Sequence, residues 1–299
     1  MYLELQNALK INKIDFSLSE QMKNHTSFRI GGPADVFVMP DTIEKCCKVI
    51  SLCRDFNIPY IVIGKGSNLL VKDEGVRGVV ICVSNPLSEV KLIDDNKIEC
   101  FAGALLSNIC NFALKHSLTG MEFAYGIPGS CGGAVVMNAG AYGGEMKDIV
   151  CGCRYIDEQG NLCTISSEEL DFSYRHSFFS GKNLCIVSVA LRLKKGNYDD
   201  IKEKMTELLN RRKEKQPLDL ASAGSTFKRP EGSYASMLVD NCGLKGYRIG
   251  DAQVSEKHAG FVVNLENASC SDVLQLIKNV SDIVYEKTGY KLEPEVKII

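Results

Sequence analysis

The chain has no tryptophan, only 8 prolines and 4 histidines among its 299 residues, and no excess of charge of either sign. Scarce proline beside 45% hydrophobic residues excludes a collagen-like or disordered chain and leaves a globular one of roughly two domains at ~100–200 residues each. Thirty-five Lys and Arg against 37 Asp and Glu leave a net charge of −2, so no global positive field gathers nucleic acid or anionic lipid. Any polyanionic partner must be met locally. His25, His116, His176 and His258 show no metal-ligand spacing, and His116 reads as a helix-surface residue, so no metal is expected. No apolar run approaches the ~20 residues of a membrane span, and the stretches 79–83 and 134–137 are far too short. The opening MYLELQNALK lacks the apolar core of a secretory leader, and a cytoplasmic chain follows as the expectation.

What the chain has in quantity is cysteine. Thirteen is an odd number, and with no leader in view it points to reduced thiols rather than a disulfide framework. The only close pairs, Cys46-Cys47 and Cys151-x-Cys153, lack the paired CxxC spacing of a structural zinc site. Most cysteines therefore read as small core hydrophobes.

Helix and strand signals alternate through the first third. Ile43, Cys46, Cys47, Ile50 and Cys53 recur at helical spacing between a cap at Asp41 or Thr42 and the break at Asn57-Ile58-Pro59. Strands are expected at 60–63, 79–83 and in a hairpin 90–93/98–101, with a helix around Leu105, Ile109 and Phe112. The segment 126–144 holds seven glycines and no charge until Glu145, which argues against a solvated linker. Strand 150–156 should turn at Gln159-Gly160-Asn161 and return at 185–193. A charged helix over 199–215 marks the domain boundary. Beyond it come a short helix at 234–241, a strand at 261–265, a long helix at 271–286 with Val273, Leu276, Ile277, Val280 and Ile283 inward, and a last strand near 296–299.

Two glycine-rich loops carry the first hint of chemistry. Gly64-Lys65-Gly66-Ser67-Asn68 follows a strand, so its N–H groups can converge on a phosphate, but it is neither a Walker A loop nor GxGxxG, since Leu69 occupies the last glycine's place. A tight turn explains it equally well in isolation. Gly126-Ile127-Pro128-Gly129-Ser130-Cys131-Gly132-Gly133-Ala134 is readable as a crossing of packed elements. A diphosphate-bearing cofactor explains both loops at once. Arg175 is a candidate carboxylate clamp, Ser225 a hydroxyl set beside Lys228 by Gly224, and Glu295 an acid–base carboxylate or half of an exposed pair with Glu293. No GxSxG elbow surrounds Ser225, which argues against a hydrolase.

These residues together resemble one family. Asn24-His25-Thr26-Ser27-Phe28-Arg29-Ile30-Gly31-Gly32-Pro33-Ala34-Asp35, the two glycine loops, Asn138-Ala139-Gly140-Ala141-Tyr142-Gly143, Tyr174-Arg175, Ala223-Gly224-Ser225-Thr226-Phe227-Lys228 and Pro294-Glu295-Val296 follow the order of the UDP-N-acetylenolpyruvoylglucosamine reductases, the MurB family. Several unlinked motifs in the right order are far more specific than any one.

The resemblance implies an α+β chain: an N-terminal segment 1–28, an FAD-binding domain of the vanillyl-alcohol oxidase (PCMH) type over 29–195, and a smaller substrate-binding domain over 196–299. It implies non-covalent FAD held by Gly64, Lys65, Gly66, Ser67, Asn68, Leu69, Gly126, Ile127, Pro128, Gly129, Ser130, Gly132, Gly133, Ala134, Asn138, Ala139 and Gly140. NADPH and UDP-N-acetylglucosamine-enolpyruvate would take turns beside one flavin. Hydride would pass by way of flavin N5 to C3 of the enolpyruvyl group. Arg175 and Glu295 would polarise the substrate carboxylate, and Ser225 would give a proton to C2. Tyr174, Lys228, Arg229 and His258 are the implied substrate contacts, in a monomer that engages neither nucleic acid nor membrane, and the product belongs to peptidoglycan precursor synthesis.

Two departures stand out. Arg229 replaces the family's usual asparagine after Phe-Lys, and the short run from His176 to Asn183 leaves no room for the lid tyrosine of the first family type, so the chain resembles the second. Tyr142, Tyr247 and Lys257-His258 are candidates for the residue that closes over the nucleotide. Two rivals fit less well. A flavin oxidase of the same fold would leave Ser225 and Glu295 unexplained and shows no covalent flavin histidine beside the first loop. A UDP-sugar sensor would have no need of Arg175, Ser225 and Glu295 together.

Overall fold

The computed structural model describes residues 2–299, which divide into two compact units, each with its own hydrophobic core. The first comprises Met1–Leu18, Val36–Lys65 and Arg77–Arg211. The second gathers Ser19–Asp35, Gly66–Val76 and Arg212–Ile299. No helix among the described residues is long and apolar enough to cross a membrane. All thirteen cysteines are free thiols and ten are buried.

Helix α1 (Tyr2–Ile11) buries Leu5 and Leu9 in the first core. Helix α2 (Ile43–Asp55) starts at Thr42, whose hydroxyl accepts the Lys45 N–H at 3.2 Å, and Cys46, Val49, Ile50 and Cys53 form its buried stripe. The strands Tyr60–Ile63 and Val76–Cys82 pair in parallel, with Tyr60 opposite Val79 and Ile63 opposite Cys82. A five-stranded antiparallel sheet follows the order Leu162–Ser166, Val150–Ile156, Cys185–Arg192, Lys97–Phe101, Val90–Asp94. Helix α3 (Leu106–Lys115) matches its expected place. Strand Val150–Ile156 does not turn directly to 185–193: it pairs first with Leu162–Ser166, a strand the alternation of Leu162, Thr164 and Ser166 outward had carried unnoticed.

Inside the glycine-rich segment a short helix α4 (Cys131–Val136) forms where none was expected. Glycine is a poor helix former, so packing decides here. A Cβ on Gly132 would come within 2.9 Å of the Ala102 Cβ, and the bare backbone lets α4 lie against that strand. The charged helix α5 (Tyr198–Lys215) follows as expected.

In the second unit a four-stranded antiparallel sheet runs Ala221–Ser225, Phe261–Asn264, Ala252–Val254, Arg248–Ile249. The short helix α6 (Ala235–Asn241) and the long α7 (Cys270–Thr288) supply the helical part of that unit's core. Helix α7 buries the expected Val273, Leu276, Ile277 and Val280 and also Val284, with Ile283 partly buried against the same core, and it ends at Gly289 in the left-handed conformation. The last strand is only Lys297–Ile298, parallel to Leu69–Leu70, so Glu293 and Glu295 precede it rather than lie in it.

The start of α7 is capped twice. Ser269 accepts the Asp272 N–H at 3.0 Å, and the distant Asp73 carboxylate accepts the N–H groups of Cys270 and Ser271 at 2.7 and 3.0 Å. Partial burial works to raise the Asp73 pKa, but these bonds and the Ser271 hydroxyl hold it below the ordinary carboxylate value. A lowered folded-state pKa adds stability that is complete above the unfolded value and disappears as pH falls through the folded one. Asp73→Ala should therefore lower the urea-unfolding free energy by about 1–2 kcal/mol at pH 7, with the gap to the parent closing as pH falls below the ordinary carboxylate range.

Candidate active site

Arg175 sits at the corner of a two-residue turn. Ser173 and His176 close the turn with reciprocal backbone hydrogen bonds of 3.2 and 3.1 Å, leaving Tyr174 and Arg175 at its tip. Arg175 has φ +55°, whereas Tyr174 does not adopt positive φ. That corner position normally selects Gly or Asn, and a long cation there costs of order 1–3 kcal/mol. The half-buried Arg175 guanidinium lies 5.1 Å from the exposed Tyr174 ring centre.

Ser225 and Glu295 belong to the second unit, and backbone bonds bring their segments together. Ser225 ends its strand opposite Phe261, after a bulge in which Gly224 takes φ +77°. The Thr226 N–H donates to Gly260 O at 2.8 Å, the Glu295 N–H donates to Thr226 O at 2.7 Å, and the Lys228 N–H donates to Glu293 O at 2.8 Å. Asn68 Nδ2 donates to the Glu295 carbonyl at 3.3 Å. The Glu295 backbone is thus held from both sides, by Thr226 and by the residue that ends the first glycine loop.

The implied substrate contacts are partly committed within the protein. Lys228 Nζ lies 3.2 Å from Glu293, in an exposed pair worth little by itself. Arg229 stacks 4.0 Å from the Tyr234 ring centre. His258 accepts the Gly260 N–H on Nδ1 at 3.1 Å, which leaves the ring proton on Nε2, and burial lowers its pKa so that the neutral imidazole prevails at pH 7. Of the lid candidates, Tyr247 accepts from Asn279 at 3.0 Å, Lys257 donates to the Lys213 carbonyl at 2.6 Å, and the exposed Tyr142 ring centre is 4.9 Å from the Arg211 guanidinium.

The glycine-rich residues separate into packing and cradle. Gly132 belongs to the packing of α4 described above. Ser130 differs: its hydroxyl is buried and has no hydrogen-bond partner, and a Cβ on Gly64 would come within 2.1 Å of it. Gly64 therefore leaves open the space into which this orphaned hydroxyl projects. A buried hydroxyl without a partner is costly, and a polar ligand resting against residues 64 and 130 removes that cost. Asn138 has its side chain committed inside the protein, to Ser173, Glu145 and Lys147. Glu145 was not among the expected functional residues. Its signal was present as the first charge after eighteen or more uncharged positions from Gly126 onward.

Comparison with known proteins joins these features. Residues 34–166 match the description "FAD binding domain", and residues 216–299 match "UDP-N-acetylenolpyruvoylglucosamine reductase, C-terminal domain". A UDP-N-acetylenolpyruvoylglucosamine reductase of Caldanaerobacter subterraneus subsp. tengcongensis is 51% identical over 296 residues, covering 99% of this chain and 97% of the relative. The chain belongs to the UDP-N-acetylenolpyruvoylglucosamine reductase family. The crystal structure of the MurB enzyme from Thermus caldophilus superposes with a TM-score of 0.81 at 36% identity, over 95% of this chain and 98% of that one. An alkyldihydroxyacetonephosphate synthase shares the fold alone, with a TM-score of 0.52 at 15% identity over 65% of this chain and 41% of its own. The expected α+β architecture, an FAD-binding domain of the vanillyl-alcohol oxidase type followed by a C-terminal domain, holds for this reductase-family chain. The unpartnered Ser130 hydroxyl opposite Gly64 suits a flavin nucleotide, and both residues lie within the matched FAD-binding stretch.

The strained corner gives a stability test separate from chemistry. Both Arg175→Gly and Arg175→Ala remove the guanidinium, but only glycine accepts φ +55° without penalty. In urea unfolding Arg175→Gly should be more stable than Arg175→Ala by about 1 kcal/mol.

Proposed function

We propose that this chain reduces the enolpyruvyl ether of UDP-N-acetylglucosamine-enolpyruvate to UDP-N-acetylmuramate, in the cytoplasm and as a monomer, with NADPH as hydride donor and FAD held non-covalently. When bound, FAD supplies the two-electron relay that lets a hydride from the nicotinamide reach C3 of the enolpyruvyl group in a separate step. The observation that carries the reading is Arg175, a cation kept in a left-handed backbone at the tip of a locked turn in a chain of this family. Strain of this kind is retained where geometry is used.

As C3 gains hydride, negative charge develops at C2 and spreads onto the substrate carboxylate. A guanidinium presents two parallel N–H donors to such a carboxylate, which strengthens as the charge grows and so lowers the barrier. Glu295, with its backbone fixed by Thr226 and Asn68, is the acidic partner of that pair. Ser225 supplies the proton that ends at C2. A serine hydroxyl is a weak acid, and it serves because the developing enolate is a strong base. Gly64, Lys65, Gly66, Ser67, Asn68 and Leu69, with Gly126 to Ala134 and Ala139-Gly140, hold the flavin nucleotide. In this reading the Ser130 hydroxyl makes its missing hydrogen bond to it. Tyr174, Lys228, Arg229 and His258 contact the sugar nucleotide, His258 as a neutral donor through Nε2.

Rapid-mixing absorbance of the FAD-loaded enzyme tests these roles. Ser225→Ala should leave NADPH-driven bleaching within about twofold of the parent while slowing colour return on adding the enolpyruvyl substrate by roughly 10²–10⁴-fold. Equal losses in both phases would remove Ser225 from the proton-donor role.

A further inference from the structure

We infer that Asn138 is a positioning residue for Arg175, acting through the turn that carries it rather than by touching a ligand. This rests on the reading of Arg175 as the substrate-carboxylate clamp. The Asn138 side chain is buried, 1% exposed, and its amide is fully engaged. Nδ2 donates to the Ser173 carbonyl at 3.0 Å and to Glu145 Oε2 at 2.7 Å, while Oδ1 accepts the Lys147 N–H at 3.0 Å. An amide has two such protons, and both are used.

Ser173 is the residue whose carbonyl and N–H close the turn on His176. Fixing that carbonyl fixes the base of the turn and so the direction in which Arg175 leaves it. The other side of the turn is held by the same stretch of chain: Ser177 Oγ donates to the Val136 carbonyl at 2.9 Å, and Ser177 is fully buried. Residues 136–138 therefore grip the turn at both ends. Glu145 makes the grip charge-assisted, and its own position is set by Lys147 Nζ at 2.5 Å and by its N–H donating to Asp148 at 2.9 Å.

The backbone at Asn138 explains the residue type. Its φ is +41°, a region where Asn and Asp are the best tolerated residues after glycine. No other side chain combines that conformation with two N–H donors on a short stem. The residue follows the glycine-rich loop and reads from sequence as a cofactor contact, but its side-chain polar atoms are engaged by Ser173, Glu145 and Lys147.

The test uses the FAD-loaded full chain with Asn138→Gly and Asn138→Asp, both compatible with the left-handed backbone: Asp keeps the short stem and an acceptor for the Lys147 N–H but loses both donors, and Gly loses the donors and the acceptor together. Hydrogen exchange of the 173–177 segment should accelerate tenfold or more in both variants, with strand 150–156 unchanged. Affinity of the oxidised enzyme for UDP-N-acetylglucosamine-enolpyruvate, measured by calorimetry, should fall at least tenfold while NADPH-driven bleaching stays within twofold. Asn138→Ser, which keeps one donor, should recover part of both losses. On an Arg175→Ala background, Asn138→Gly should change substrate affinity by less than twofold, because the residue it positions is gone.

Unchanged exchange at 173–177, or an affinity loss as large on the Arg175→Ala background as on the parent, would overturn the inference. An Arg175→Ala enzyme with normal substrate affinity and normal colour return would overturn the clamp reading beneath it. That failure is recognisable because exchange at the turn in Asn138→Gly would still be accelerated.

Discussion

Holding Arg175 in a left-handed conformation is unfavourable by of order 1–3 kcal/mol, and a small set of hydrogen bonds around the turn holds it there. Two backbone hydrogen bonds close the turn, a buried amide fixes its Ser173 side, and a buried hydroxyl fixes its Ser177 side. The last two anchors involve residues 136 and 138, at the end of α4 and just beyond it. Helix α4 in turn lies against the strand preceding Ala102 because Gly132 lacks a Cβ. Gly132, which opens the way for packing, and the left-handed Arg175 thus belong to one connected stretch of structure. Other left-handed residues cluster there too, at Asn138 and Tyr142.

The second unit solves a different problem with ordinary means. Ser225 and Glu295 lie on separate segments far apart in sequence, and backbone hydrogen bonding through Thr226 brings those segments together with no left-handed backbone at either residue. The bulge at Gly224 shifts the strand register just before Ser225. The first glycine loop ends in Asn68, which holds the Glu295 carbonyl and leads into the strand paired with Lys297–Ile298. Gly64, four residues earlier, leaves room beside the Ser130 hydroxyl.

Much of this was legible in the sequence. Helix α2 was readable from its cysteine and isoleucine stripe, α7 from a four-turn apolar pattern, and the 90–101 hairpin from its Asp-Asp-Asn turn. The misses have physical causes. Helix α4 defeats propensity because small residues were selected for contact with a neighbouring strand, information that is not local. Strand Leu162–Ser166 was overlooked because only Ile165 is buried in it and its partner had already been assigned elsewhere. The extended stretch at Glu293–Glu295 is bound by isolated bridges rather than a ladder, which no periodicity announces. For the candidate site, the motifs named residues but could not tell a side chain open to a ligand from one, such as Asn138, whose amide is hydrogen-bonded inside the protein. That distinction lives in hydrogen-bond geometry alone.

In the proposed function this chain carries FAD and passes electrons from NADPH to an enolpyruvyl sugar nucleotide. The most direct test is the visible spectrum of the protein purified without added cofactor, followed anaerobically through addition of NADPH and then of UDP-N-acetylglucosamine-enolpyruvate. A two-banded flavin spectrum that bleaches with NADPH and returns with the enolpyruvyl substrate is the predicted result. A protein that is colourless, and stays so after FAD is supplied and the excess washed away, would contradict it.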